Sequence, residues 1–165
     1  MFKALAVVAA VAAVGVAAFP DDAGAQQVAQ APAPLATAQY NNDPALQCDV
    51  VEVKRVSGGA LSIRWRLTNT AGSSAGGLAA TAPSKPINYS FHWDEIYYID
   101  PAENKKYTII TDPSNNRVAG IFEGEIAAGQ QRGSWAKFAA PPPSSTKISF
   151  TIAGFPPFED LPISQ

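Results

Sequence analysis

A chain of 165 residues with 14 acidic and 12 basic side chains carries a net charge of −2 at neutral pH. That near-balance excludes the basic excess that a nucleic-acid binder presents on one face. One cysteine, Cys48, excludes a scaffold built on disulfides, and one histidine, His92, narrows the catalytic and metal-ligating arrangements open to the chain.

The chain starts with Lys3 and an uncharged run of mostly Ala and Val over residues 4–18, broken by Pro20. Ala23-Gly24-Ala25 fits the small-x-small cleavage pattern of secretion, so residues 1–25 read as a signal peptide. The run is short of the ~20 apolar residues that a membrane span needs. Asp21 and Asp22 follow it where a basic stop would stand. Cleavage after Ala25 leaves a nearly neutral protein, periplasmic or extracellular, with no membrane span. Residues 26–47 are rich in Gln, Ala and Pro and poor in large apolar side chains. Such a segment does not offset the entropy of ordering itself, so it reads as a disordered linker. The domain is then expected over residues 48–165, with Cys48 a free thiol at its edge and intermolecular pairing the rival fate. Lipid attachment is disfavoured there, because Gln47 stands where a small residue is needed.

In residues 49–56 (DVVEVKRV), Val51 and Val53 alternate with Glu52 and Lys54, and Val56 needs a small irregularity to rejoin them. Residues 60–69 (ALSIRWRLTN) alternate without a break: Leu61, Ile63, Trp65 and Leu67 on one side, Ser62, Arg64, Arg66 and Thr68 on the other. Period two is a half-buried strand. Ser57-Gly58-Gly59 between them predicts a hairpin, since glycine takes the positive φ of tight turns. Residues 70–85 read as a loop of small residues joining two sheets.

Residues 87–100 (INYSFHWDEIYYID) form the most aromatic segment and predict one or two strands. Residues 100–104 are a turn by composition, and 105–111 (KKYTIIT) return as a strand paired with 95–99. Residues 117–126 predict a strand of unclear register, broken by Gly120 and Gly124. Residues 133–138 (GSWAKF) predict a short strand, and the proline run after them a rigid extended connection. Residues 147–153 (KISFTIA) place Ile148, Phe150 and Ile152 on one face. Phe155, Phe158, Leu161 and Ile163 are expected to fold back over one end of the core. The whole reads as all-β: an antiparallel β-sandwich of about seven strands.

The pattern from ALSIRWRLTN through EIYYID, KKYTIITD, AAGQ and FAAPPP to TKISFTIAGFPPFEDLPI resembles secreted bacterial domains of the telokin-like, immunoglobulin-like type, most of them without assigned function. In those domains a strand ends in Asn, here Asn69. A glycine turn precedes the penultimate strand, here Gly129. An aromatic followed by small residues and prolines separates the last two strands, here residues 138–143. The resemblance covers roughly residues 49–163. It implies an immunoglobulin-like sandwich, and it carries no catalytic motif. Some envelope proteins place a similar module before a cell-wall-binding domain, a role not expected of this sequence.

Acyl transfer needs a nucleophile beside a base, and the only imidazole sits inside an aromatic strand. A strand would put His92 and Asp94 on one face, near Glu95, but zinc takes three or four protein ligands. The paired carboxylates of a glycosidase have a weak counterpart in Glu123 and Glu125. No cofactor is expected. Tyr89, Trp93 and Tyr97 either fill the core, the expected place, or face outward and stack on sugar rings. Trp65 and Trp135 are expected in the core. Arg64 and Arg66 are expected to form a solvated stripe and not an anion grip. The function class that follows is a non-catalytic secreted module recognising an envelope or extracellular protein through loops or an edge strand. The alternative is a carbohydrate- or other ligand-binding domain built on residues 89–98, and an unrecognised hydrolase stands third.

Overall fold

The alternation of residues 60–69 is realised as a central strand: Leu61, Ile63, Trp65 and Leu67 are buried, and Arg64 is exposed. The computed structural model describes residues 33–71 and 85–165. Residues 1–25, read above as a signal peptide, residues 26–32 of the expected linker and most of the small-residue loop lie outside them. Eleven strands run through the described residues: β1 (Ala36–Tyr40), β2 (Asp43–Val56), β3 (Ala60–Asn69), β4 (Ile87–Tyr89), β5 (Tyr97–Asp100), β6 (Lys105–Thr108), β7 (Ala119–Gly120), β8 (Gly124–Ile126), β9 (Gln131–Ala139), β10 (Lys147–Thr151) and β11 (Phe158–Pro162). The count exceeds seven because short pairs such as β4 and β8 are strands of three residues.

One sheet has the order β1-β2-β3-β9-β7, the second β11-β10-β5-β6, and β4 pairs with β8; every strand pairing is antiparallel. The sheets face each other across aromatic contacts. Trp65 of β3 meets Phe150 of β10 at 5.3 Å between ring centroids, and Phe138 of β9 meets Tyr98 of β5 at 5.5 Å. Large rings supply most of the area removed from water in such a core. The protein is therefore an all-β sandwich.

The hairpin forms as expected. Val56 pairs with Ala60, and Gly58 and Gly59 take φ of 80° and 69°. The irregularity in β2 falls earlier than predicted, between Val50 and Glu52, so Val50 and Val53 point inward while Val51 is half-exposed. Strands β5 and β6 pair, with Tyr98 opposite Tyr107. Residues 117–126 divide between two pairings: β7 joins β9, and β8 joins β4 after Gly124 turns at φ 127°. Phe155, Phe158 and Leu161 are buried, as expected.

The linker expectation is corrected for residues 36–47. They form β1 and the start of β2, so the folded unit begins well before Cys48. The inward positions of β1 are Ala36, Ala38 and Tyr40, and two of those side chains are too small to produce a hydrophobic signal. A ladder to β2 and one aromatic anchor hold the strand instead. Tyr40 packs 5.2 Å from Phe155 and 5.9 Å from Tyr89, and Asn41 N–H donates to Gly154 O at 2.8 Å. Cys48 is likewise corrected. It is fully buried mid-strand between Ala38 and Leu67, out of reach of a second chain's thiol, and burial pushes its thiol pKa up.

Two polar devices fix the ends of the sandwich. Arg55 Nη1 donates to Pro141 O at 2.7 Å, and Nη2 donates to Pro142 O at 2.7 Å and Ser145 O at 3.0 Å. The planar fork of the guanidinium thus spans three carbonyls of this turn, and Pro142 O also accepts from Ser145 N–H at 3.0 Å. At the other end Asn69, fully buried, donates from Nδ2 to Ile126 O at 2.9 Å and Lys85 O at 3.0 Å. Its Oδ1 accepts from Ala71 N–H at 3.0 Å, and its backbone O accepts from Gly129 N–H at 2.8 Å.

Candidate functional site

The aromatic segment is not one strand. A 3₁₀ turn over Trp93–Glu95 separates β4 from β5 and resets the alternation. His92 N–H donates to Glu95 Oε2 at 2.9 Å, which fastens that turn at its start. The reset brings Ile96 and Tyr98 inward, while Tyr97 is left half-buried with Lys106 Nζ 3.7 Å over its ring. Tyr89 is fully buried, donates to Ala153 O at 3.4 Å and has its phenol pKa raised, burial being the main cause. Trp93 is exposed, with the Arg117 guanidinium 4.8 Å over its ring. Tyr89, Trp93 and Tyr97 therefore do not make one platform.

His92 and Asp94 do not share a strand face, because Asp94 lies in the turn. Among the described residues no three His, Cys, Asp or Glu side chains come together as a metal site. Glu123 and Glu125 are both exposed. Residues 72–76 read Gly-Ser-Ser-Ala-Gly, which matches the Gly-x-Ser-x-Gly spacing of a nucleophile elbow and bears on the hydrolase reading. They lie outside the described residues.

Sheet edges are where the geometry offers a partner something to bind, because an edge strand carries unpaired backbone groups. The two large sheets have four edges among the described residues, β1 and β7 in one and β11 and β6 in the other, and the β4–β8 pair adds two edge strands of only three residues each. Three of the four carry the usual protections. Lys105 and Lys106 stand on β6, β11 has Glu159, Asp160 and Pro162, and β7 is two residues long. Strand β1, with the sequence ATAQY, has no charge and no proline. Its outer side forms one bank of a groove of about 670 Å³ whose other bank is Pro156, Pro157, Phe158 and Glu159. Thr37 and Gln39 are exposed there, and Ala36 and Ala38 half-buried.

The base of β1 is held by a buried carboxylate. Asp49 of β2, 3% exposed, accepts from Thr37 Oγ1 at 2.8 Å, Gln47 Nε2 at 2.9 Å and Arg66 Nη2 at 2.7 Å. Burial alone would raise its pKa. The hydrogen bonds from Arg66, Thr37 and Gln47, together with the Arg66 charge, outweigh that and hold the carboxyl below the ordinary carboxylate value.

Trp135, expected in the core, is 39% exposed. Its neighbours Ser134 and Ala136 take the inward positions of β9. A sequence signal for this was present: Ser134, Ala136 and Phe138 share a parity that leaves Trp135 on the other face. Among the described residues no helix is long and apolar enough to cross a membrane. In comparisons with family models, curated proteins and solved structures, nothing matches this chain.

Proposed function

We propose that this is a non-catalytic, exported interaction module of immunoglobulin-like build, which binds an envelope or extracellular protein by accepting a strand of that partner along β1. The observation that carries this reading is the contrast among the four edges of the two large sheets. Three are charged, interrupted or minimal, while β1 is uncharged and borders a groove. Strand addition draws affinity from backbone hydrogen bonds and specificity from alternate side chains, and the groove beside β1 offers room for both. The Asp49 network supports it by tying β1 to β2 and β3, so that the edge is rigid before a partner arrives.

The test is site-specific capture. A photo-crosslinking residue at position 39 should trap an envelope protein reproducibly, and the same residue at position 106, on the charged edge β6, should not. Equal capture from both positions, or none from 39, defeats the reading.

A further inference from the structure

The outer face of the larger sheet holds a second concavity, on the opposite side from the core. Cross-strand rows place Asp49, Arg66 and Gly133 abreast, and beside them Glu52, Arg64, Trp135 and Gly120. A groove of about 380 Å³ opens there, walled by Trp135, Arg64, Arg66 and Gln131 and floored at Gly133. That volume falls within the roughly 300–1,000 Å³ of small-ligand sites.

Gly133 needs an explanation that the backbone does not supply. A glycine inside a strand costs up to about 1 kcal/mol against a β-branched residue. Of the glycines in the described residues, Gly58, Gly59, Gly124, Gly129 and Gly154 have positive φ. Gly120 has an ordinary φ, but a Cβ there would lie 2.5 Å from Trp135 Nε1. Gly133 alone has neither constraint: its φ is ordinary, and a Cβ built on it meets nothing within 4 Å. What the missing side chain leaves is a bare patch of backbone beside an exposed indole. The register of β9 against β3 runs through Gly133 without a bulge, which leaves close approach of another molecule to the backbone as the reading of this strand glycine.

The chemistry of the walls selects the ligand. Trp135 rests its pyrrole ring on Gly120, so its position is set before anything binds. Arg66 is pinned by Asp49 through Nη2, and its other two nitrogens make no hydrogen bond among the described residues. Arg64 lies 3.6 Å from Glu52. Each guanidinium thus has its own carboxylate, and the groove is rich in donors but close to electroneutral. A polyanion gains little from such a surface, and a purely apolar peptide would bury its donors unpaired. A flat ring with an apolar face and a hydroxylated rim fits both requirements. From this we infer that the groove binds a neutral pyranose sugar, stacked on Trp135 over Gly133, with Arg64, Arg66 and Gln131 hydrogen-bonding its hydroxyls.

The test is titration calorimetry of the full chain with cellohexaose, with N-acetylchitohexaose and, as the charged comparison, with polygalacturonate. At least one of the two neutral oligosaccharides should bind. Trp135→Ala and Gly133→Val should each weaken that binding at least about tenfold, the equivalent of about 1.4 kcal/mol. A Cβ at position 133 meets nothing within 4 Å and valine favours a strand, so the thermal unfolding of Gly133→Val should match the parent or exceed it, which separates loss of binding from loss of fold. Trp93→Ala, at the other exposed indole, should leave binding unchanged. The inference is overturned if neither neutral sugar binds, if polygalacturonate alone binds, if binding survives Gly133→Val, or if Trp93→Ala abolishes it. Crosslinking from position 39 reads a different surface, so the two tests succeed or fail separately.

Discussion

Asn69 shows how much one buried side chain can hold. Its amide reaches the carbonyls of Ile126 and Lys85, its Oδ1 takes the Ala71 N–H, and its backbone carbonyl takes Gly129 N–H. Leaving buried partners unsatisfied costs about 1–3 kcal/mol each. Asn69→Ala should therefore lower unfolding stability by about 2–4 kcal/mol, read as a shift of the urea midpoint at unchanged slope. Asn69→Asp should do at least as much harm at neutral pH, because it removes both donors and sets a charge against two carbonyls. An Asp variant as stable as the parent would contradict the amide's role. The sequence marks Asn69 as the end of a strand and Gly129 as a turn; that they bond to each other is a fact about residues far apart along the chain. Trp135 teaches the converse. Its identity suggested burial, but its place in the alternation of β9 gave it to the outer face. Where residue type and parity disagree within a strand, the pleat decides, since successive side chains must point to opposite faces.

At the scale of elements, β1 is the largest departure from expectation. A segment of Ala, Thr, Gln and Tyr has too little apolar area to order itself, and that is why it reads as linker. It becomes a strand because β2 is already there to pair with, and because Tyr40 has a seat against Phe155 and Gly154. A chain starting at Cys48 should accordingly be strongly destabilised or fail to fold, and a chain starting at Ala33 should melt cooperatively; circular dichroism through a thermal ramp reads both. Tyr40→Ala should cost about 2 kcal/mol, less than a fully buried ring because the side chain is only partly covered. A Cys48-initiated chain as stable as the Ala33-initiated one would restore the linker reading. The 3₁₀ turn over Trp93–Glu95 is the second departure. It shifts the phase of the aromatic segment, so the rings that share a parity in the sequence part company in space, Tyr89 to the core and Trp93 to the surface.

For the molecule as a whole, the Asp49 network predicts how stability responds to acid. The folded-state pKa of Asp49 lies below its unfolded value of about 3.9. Its contribution is fully present above that unfolded value and is lost as pH falls through the folded one. Unfolding midpoints should thus drop on acidification below about pH 4, and Asp49→Asn should flatten that acid limb while lowering stability at pH 7. An acid limb unchanged in the Asn variant would assign the dependence to other carboxylates. Sequence alone determined the fold class, the central hairpin, the inward faces of β3 and β10 and the burial of the C-terminal aromatics. All of these follow from period-two alternation and turn chemistry, which are written locally along the chain. The tertiary structure alone decided that residues 36–47 belong to the fold, that β1 is an uncharged edge five residues long, and that Gly133 and Trp135 adjoin two neutralised arginines. Those are relations between strands distant in sequence, and no local pattern encodes which backbone edge stays unpaired or which face a neighbouring sheet leaves uncovered.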